Sequence, residues 1–201
     1  MAAGGITVPA YVTNTENDFL HIISNSYSKL AIVSTERLIE RVLPAANKAK
    51  CLDHIIAIES PCNVVTDKIK THSWDQMLKI EIAPHKADFT KYENIKRDQT
   101  ACIIYTSGTS GSPKGVMLHH GAILHNCAGA RAALEELGLG REVFLSFLPL
   151  SHSYEHTAGQ FFPISIGAQI YYCEAENLAS SMQLVKPTIM TAVPRLYESL
   201  H

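Results

Sequence analysis

The sequence is short of paired cysteines, of clustered positive charge and of long apolar runs, and each shortage removes a class of protein. Its five cysteines (Cys51, Cys62, Cys102, Cys127, Cys173) are odd in number, widely spaced and never in a C-x-x-C arrangement. Neither a disulfide framework nor a zinc site is indicated, and a reduced, cytoplasmic setting is expected. Formal net charge is −2 and the isoelectric point is near 6.5. Basic residues are scattered, which excludes the electrostatic footprint of a nucleic-acid binder. No run of about 18 apolar residues occurs, so no transmembrane segment is expected. The opening MAAGGITVPAY lacks the basic and apolar regions of a signal peptide. Peripheral contact with a bilayer stays open, although no basic amphipathic helix argues for it.

What is present suits a packed core. Of 201 residues, 46% are hydrophobic and 18% charged, which fits one globular domain or a large part of one. The elements alternate. Residues 6–12 read as a strand; Thr15 and Asp18 then form a capping box ahead of a helix with Phe19, Ile22 and Ile23 on one face. Leu30–Val33 is a short buried strand. Thr35 caps a helix with Leu38, Ile39 and Val42 toward the core, and residues 55–58 are the next strand. Continuous apolar strands of this kind predict parallel sheets covered by helices on both faces, an α/β fold.

Residues 59–98 read as a polar connection containing one helix, opened by a Ser73–Gln76 capping box. Residues 101–105 are a fourth buried strand, 115–118 a short strand, and 121–137 a helix with Ile123, Cys127, Ala130, Leu134 and Leu137 on one face. Strands are expected at 144–148, 170–173 and 189–193, with Pro194 at the first position of a closing helix. The chain begins almost on a strand and stops inside a predicted helix, so both ends are expected to be cut.

Between two of these strands lies YTSGTSGSPKG, residues 105–115. Three glycines let the backbone approach a ligand closely, five serine and threonine hydroxyls offer donors, and Lys114 adds a mobile positive charge. Such a set suits a polyphosphate, because each charge-assisted hydrogen bond contributes roughly 1.5–3 kcal/mol. The spacing fits neither G-x-x-x-x-G-K-[ST] nor G-x-G-x-x-G. A Ser/Gly-rich surface turn has this composition too, but has no need of this order.

The string YTSGTSGSPKGVMLHH resembles the phosphate-binding signature of adenylate-forming enzymes, the superfamily of acyl-CoA synthetases, luciferases and peptide-synthetase adenylation domains. FLSFLPLSHSYEH (144–156), PISIGAQIYY (163–172) and PTIMTAVPRLYE (187–198) resemble later segments of long-chain fatty-acid–CoA ligases in the same order, and residues 1–26 resemble an internal stretch of them. The likeness covers nearly the whole chain. It implies that residues 1–201 are part of the large N-terminal AMP-binding domain, with mostly parallel sheets flanked by helices and the small C-terminal domain absent.

It also implies a reaction. ATP and a fatty acid give acyl-adenylate and pyrophosphate, and the thiol of CoA then displaces AMP. By the family pattern Thr106, Ser107, Gly108, Thr109, Ser110, Gly111 and Lys114 grip the β- and γ-phosphates, bridged by Mg2+. His152 corresponds to a position beside the carboxylate and the acyl-adenylate, with Tyr154 in the same wall; His152 and Lys114 are the residues assigned to the chemistry. Arg195 receives no step, and a surface pairing with Glu198 serves equally. Gly129, Ala130 and Ala133 leave room for an acyl chain. No metal-ligand set is assigned. His152 and His156, at i and i+4, could hold zinc on a helix, but Pro149 and the Ser-rich turn argue against a regular helix and no third ligand is indicated.

Relatives of this kind carry further segments with a magnesium-binding glutamate, a ribose-binding acid, a hinge and a second lysine, and this chain has none of them. The isolated chain is therefore expected to be inactive. Two alternatives stay open: a non-catalytic nucleotide-binding remnant, and a ligase for another carboxylic acid.

Overall fold

In a computed structural model, residues 1, 4–59, 68–80, 94–106 and 112–194 are described. The chain divides into two compact units, Met1–Ile95 with Tyr105–Met117, and Lys96–Ile104 with Leu118–His201.

The first unit opens with helix α1, Glu16–Ser26. Its start is fixed by the predicted box: the Asp18 amide donates to Thr15 Oγ1 at 3.3 Å, and Asp18 Oδ2 accepts from the Thr15 amide at 2.8 Å. Two of the donors that a helix leaves unpaired at its first turn are thereby satisfied. Phe19, Ile22 and Ile23 are buried, as their spacing predicts. Strand β1 (Leu30–Val33), helix α2 (Glu36–Ala49), strand β2 (His54–Ala57) and strand β3 (Lys70–Ser73) follow. The sheet order is β1-β2-β3 and both pairings are parallel, with Ile32 opposite Ile56 and Ile56 opposite His72. Helix α1 packs against α2. The core joins Phe19, Ile23, Val33, Ile39, Val42, Ala45 and Ile55, among others; each large side chain fully removed from water contributes about 1.5–3 kcal/mol.

Three expectations fail in this unit. The strand read as buried, Leu30–Val33, buries only Val33, while Leu30 and Ile32 are exposed. Residues 6–12 form no strand beyond an isolated bridge at Thr7, because Pro9 has no amide proton to give a ladder. Strand β3 lies in the stretch read as a connection. Its sequence, KTHS, has no apolar alternation, and none of its residues is fully buried. Helix α3, Trp74–Leu78, has its Ser73–Gln76 box but buries none of its residues, and Leu78 is 69% exposed.

Strands β4 (Thr100–Thr106) and β5 (Lys114–His119) pair with each other. In the second unit, helix α4 (His120–Leu134) is capped by His119, whose Nδ1 accepts from the Ala122 amide at 2.9 Å. Gly121 packs so closely that a Cβ there would lie 3.0 Å from the Arg97 carbonyl oxygen. The predicted helix over 121–137 ends as α-helix at Leu134 and finishes in a 3-10 turn, closed by Gly138 at φ 71°. Ile123 and Cys127 face the interior, whereas Gly129 and Ala133 are exposed.

The last strands are β6 (Val143–Ser146), β7 (Gln169–Tyr172) and β8 (Ile189–Met190), in the order β7-β6-β8 and all parallel. Phe144 and Leu145, on the central strand, are almost wholly buried. Between β6 and β7 the chain is helical: α5 (Ser153–Glu155), a π-helical turn (His156–Phe161) and α6 (Phe162–Ser165). The polar turn expected after Pro149 is thus shorter than the sequence suggests, since Pro149 lies ahead of the helix and Pro163 sits in the tolerated first turn of α6. Helix α7, Leu178–Val185, leads into β8.

Candidate functional site

The glycine-rich segment joins two paired strands, as predicted. Thr106 ends β4, Lys114 begins β5, and both side chains are exposed. Ser107, Gly108, Thr109, Ser110 and Gly111 lie outside the described residues. The flanks of the segment are fixed by α1. His21 Nε2 lies 2.8 Å from the Pro113 carbonyl oxygen, and the Tyr105 hydroxyl donates to Asn25 Oδ1 at 2.7 Å. The rings of His21 and Tyr105 meet edge to face, 5.8 Å between centroids. Burial pushes the Tyr105 hydroxyl above its ordinary value of 10.0, so it remains a donor at neutral pH.

Beside these flanks is a cavity of about 180 Å³ lined by Pro9, Asn14, Asp18, Tyr105, Thr106 and Pro113, among others. Ligand sites for small molecules occupy roughly 300–1,000 Å³, so the cavity by itself is too small for a nucleotide. Thr15 holds the Asp18 carboxyl below its ordinary value of 3.8 by side-chain and backbone hydrogen bonds. The cavity wall therefore carries an acidic group, and Lys114 follows the lining residue Pro113 in the sequence. Lys114 makes no ion pair among the described residues.

In the second unit the strand ends of β6 and β8 meet the segment that carries His152 and Tyr154. His152 is the exposed N-cap of α5, and its Nδ1 accepts from the Tyr154 amide at 3.2 Å. Tyr154 is 46% exposed, so both predicted side chains reach solvent from one turn. Their neighbours go inward. Glu155 is 0% exposed; Ser146 Oγ donates to its Oε1 at 2.6 Å, and Thr191 Oγ1 donates to its Oε2. His156 is buried beside Phe161, 5.0 Å between ring centroids, and neither ring nitrogen has a hydrogen-bond partner among the described residues. Burial lowers its pKa from 6.5. Tyr172, opposite Ser146 on the other side of β6, has its hydroxyl pushed up by burial and then by the charge of Glu155.

Sequence reasoning missed Glu155, Ser146 and Thr191. The available signal was only a hydroxyl residue at the end of each of two expected strands, because the polar stretch around Glu155 gives no hint that its carboxyl is buried. The two histidines do not act as a pair: His152 is outward and His156 inward. Among the described residues no three His, Cys, Asp or Glu side chains are grouped as a metal site would require. No described helix is long and apolar enough to cross a membrane. Arg195 and Glu198 lie outside the described residues.

Parallel β-strands alternating with helices define an α/β protein, and a hydroxyl- and glycine-rich link ending in a lysine joins two of its strands. The chain belongs to the AMP-binding enzyme family, whose model matches residues 1–201. It is 32% identical over 205 residues to the long-chain-fatty-acid–CoA ligase ACSBG2 of Homo sapiens, a match that covers 99% of this chain and 30% of that protein. Among solved structures it resembles the coronafacic acid ligase of Pectobacterium brasiliense, with a TM-score of 0.73 at 16% identity over 98% of this chain and 37% of that one. It also resembles ATP-bound MatB from Rhodopseudomonas palustris, with a TM-score of 0.67 at 19% identity over 99% of this chain and 36% of that one. The fold is that of the adenylate-forming enzymes, and the chain spans about a third of the length of these relatives.

Proposed function

We propose that the protein containing this chain activates a long-chain fatty acid with ATP, forming acyl-adenylate and pyrophosphate, and passes the acyl group to CoA with release of AMP. The observation that carries this reading is the segment YTSGTSGSPKG between β4 and β5, within a chain matched along its whole length by the AMP-binding family. A carboxylate is a poor electrophile until one oxygen becomes a good leaving group, and AMP is one. Charge develops on the phosphates as the bond to pyrophosphate breaks, so donors already aimed there lower the barrier.

In this reading Thr106, Ser107, Gly108, Thr109, Ser110, Gly111 and Lys114 hold the β- and γ-phosphates. Lys114, exposed and without an ion pair among the described residues, supplies the positive charge. Mg2+ entering with the nucleotide would offset phosphate charge. The hydroxyl-rich segment fits that arrangement, since Mg2+ is commonly held by substrate phosphates with few protein ligands. His152 and Tyr154, exposed on one turn, line the acyl site and orient the carboxylate. Residues 1–201 form part of the N-terminal AMP-binding domain, and the remaining functions of the enzyme lie outside this chain. The proposed setting is cytoplasmic, and peripheral membrane contact is compatible with it.

The test is pyrophosphate release by the full-length protein with ATP, CoA and acids of graded chain length. Acid-dependent release strongest with long chains is expected; no release with any acid overturns the ligase reading. The alternative reading is a non-catalytic nucleotide-binding remnant. ATP binding by the full-length protein without turnover would favour it.

A further inference from the structure

We infer that Glu155 is a positioning residue of the acyl site. Its buried carboxylate, bound by the hydroxyls of Ser146 and Thr191, locks the turn that presents His152 and Tyr154 onto the ends of β6 and β8. This rests on the reading of His152 as an acyl-site residue given above.

The carboxylate is fully removed from solvent, a costly placement for a polar group unless its hydrogen-bonding capacity is met. Both oxygens have a donor: Ser146 Oγ on Oε1 at 2.6 Å, and Thr191 Oγ1 on Oε2. The sheet register explains why the donors arrive as a pair. Phe144 lies opposite Ile189 and Leu145 opposite Met190; one step further, Ser146 at the end of β6 falls opposite Thr191 just past β8. Two neighbouring strand ends therefore offer two hydroxyls side by side, matching the two oxygens of one carboxylate. The backbone makes room for it as well. A Cβ at Gly159 would overlap the Glu155 carboxylate. The surrounding segment, His156–Phe161, is a π-helical turn, a form that recurs at functional sites.

Glu155 cannot itself meet a ligand from solvent, but its neighbours can. The turn is tied through His152: the His156 amide donates to the His152 carbonyl at 2.9 Å, and the Tyr154 amide to His152 Nδ1 at 3.2 Å. Fixing Glu155 at two points therefore fixes the rotation of the turn, and with it the direction in which His152 and Tyr154 project. An apolar side chain of similar size would fill the space but accept many orientations, whereas a carboxylate between two hydroxyls accepts one.

The experiment uses the full-length protein with Thr191→Val, which keeps shape and removes the hydroxyl, Thr191→Ser, which retains it, and Ser146→Ala as a second cut of the clamp. Thr191→Val and Ser146→Ala are expected to raise the KM for a long-chain acid about tenfold, the effect of losing one bond to a charged group, and to leave the KM for ATP unchanged. Thr191→Ser is expected to restore the acid KM. A second readout does not depend on activity. In protein labelled with 13C-histidine, the His152 ring signal, identified by its loss in His152→Gln, is expected to shift in Thr191→Val and to return in Thr191→Ser. An unmoved His152 signal in folded Thr191→Val protein, or KM values for acid and ATP that rise together, overturns the inference. A shifted His152 signal in a protein that activates no acid supports the clamp and overturns the ligase reading instead.

Discussion

His21 Nε2, on α1, lies 2.8 Å from the carbonyl oxygen of Pro113, the residue just before β5. A carbonyl can only accept, so Nε2 carries the proton. Four residues along the same helix, Asn25 Oδ1 accepts from the Tyr105 hydroxyl at 2.7 Å. One face of α1 thus holds both flanks of the glycine-rich segment. His21→Ala removes the Pro113 tether and the edge-to-face contact with Tyr105. The loop must then lose more freedom on binding a nucleotide, and the KM for ATP in the full-length protein is expected to rise roughly three- to tenfold with the KM for acid unchanged. Wild-type kinetics would mean that the flank is held by other contacts.

Lys114 begins β5 with its side chain in solvent and no ion pair among the described residues. A lysine committed to the fold would be paired or packed. Lys114→Ala in the full-length protein is expected to slow adenylation by about one to three orders of magnitude, the range for loss of one transition-state donor, with little change in melting temperature. Acid-dependent pyrophosphate exchange measures the step directly. An unchanged rate removes Lys114 from the site.

The parts of this fold legible in the sequence are those where local chemistry and tertiary placement agree. Thr15 with Asp18 and Ser73 with Gln76 mark helix starts in any context, and the apolar runs at 30–33 and 55–58 announce strands that pair in parallel, although only Val33 of the first is buried. Strand β3 was hidden because KTHS buries no residue fully and so carries no apolar pattern. The Ser/Thr/Gly order of residues 105–115 marked a candidate site without reference to any fold. The Glu155 clamp did not, since its donors sit 9 positions before it and 36 after it in sequence. Only the register of β6 on β8 brings them together.

Gly159 reads out the space that this clamp needs. A methyl group there would overlap the Glu155 carboxylate, and the carboxylate cannot swing away without losing Ser146 or Thr191. Gly159→Ala is expected to destabilise the protein by about 1–3 kcal/mol, the range for overpacking a filled interior. Because the clash is with one side chain, Glu155→Ala combined with Gly159→Ala should cost less than the sum of the single changes. Urea melts of the four proteins measure this; strict additivity would place the strain of Gly159→Ala elsewhere.

His156 gives the protein a stability that depends on pH in a predictable direction. Burial lowers its pKa from 6.5, and neither ring nitrogen has a partner among the described residues. Above pH 6.5 the imidazole is neutral in both the folded and the unfolded chain and contributes no pH dependence. Below 6.5 the unfolded chain takes up a proton that the folded chain resists, so stability falls as the pH drops toward the folded pKa. His156→Phe keeps a ring of similar size and abolishes this proton uptake. The melting temperature of the variant is expected to fall less than that of the wild type between pH 7.5 and pH 5.5, while other titrating groups cancel in the comparison. At pH 7.5 the variant should be at least as stable as the wild type, because replacing unpaired buried nitrogens with carbon removes a penalty of about 1–3 kcal/mol. Parallel pH profiles, or a large loss of stability at pH 7.5, would show that the imidazole is bonded in solution and serves the fold as a polar group.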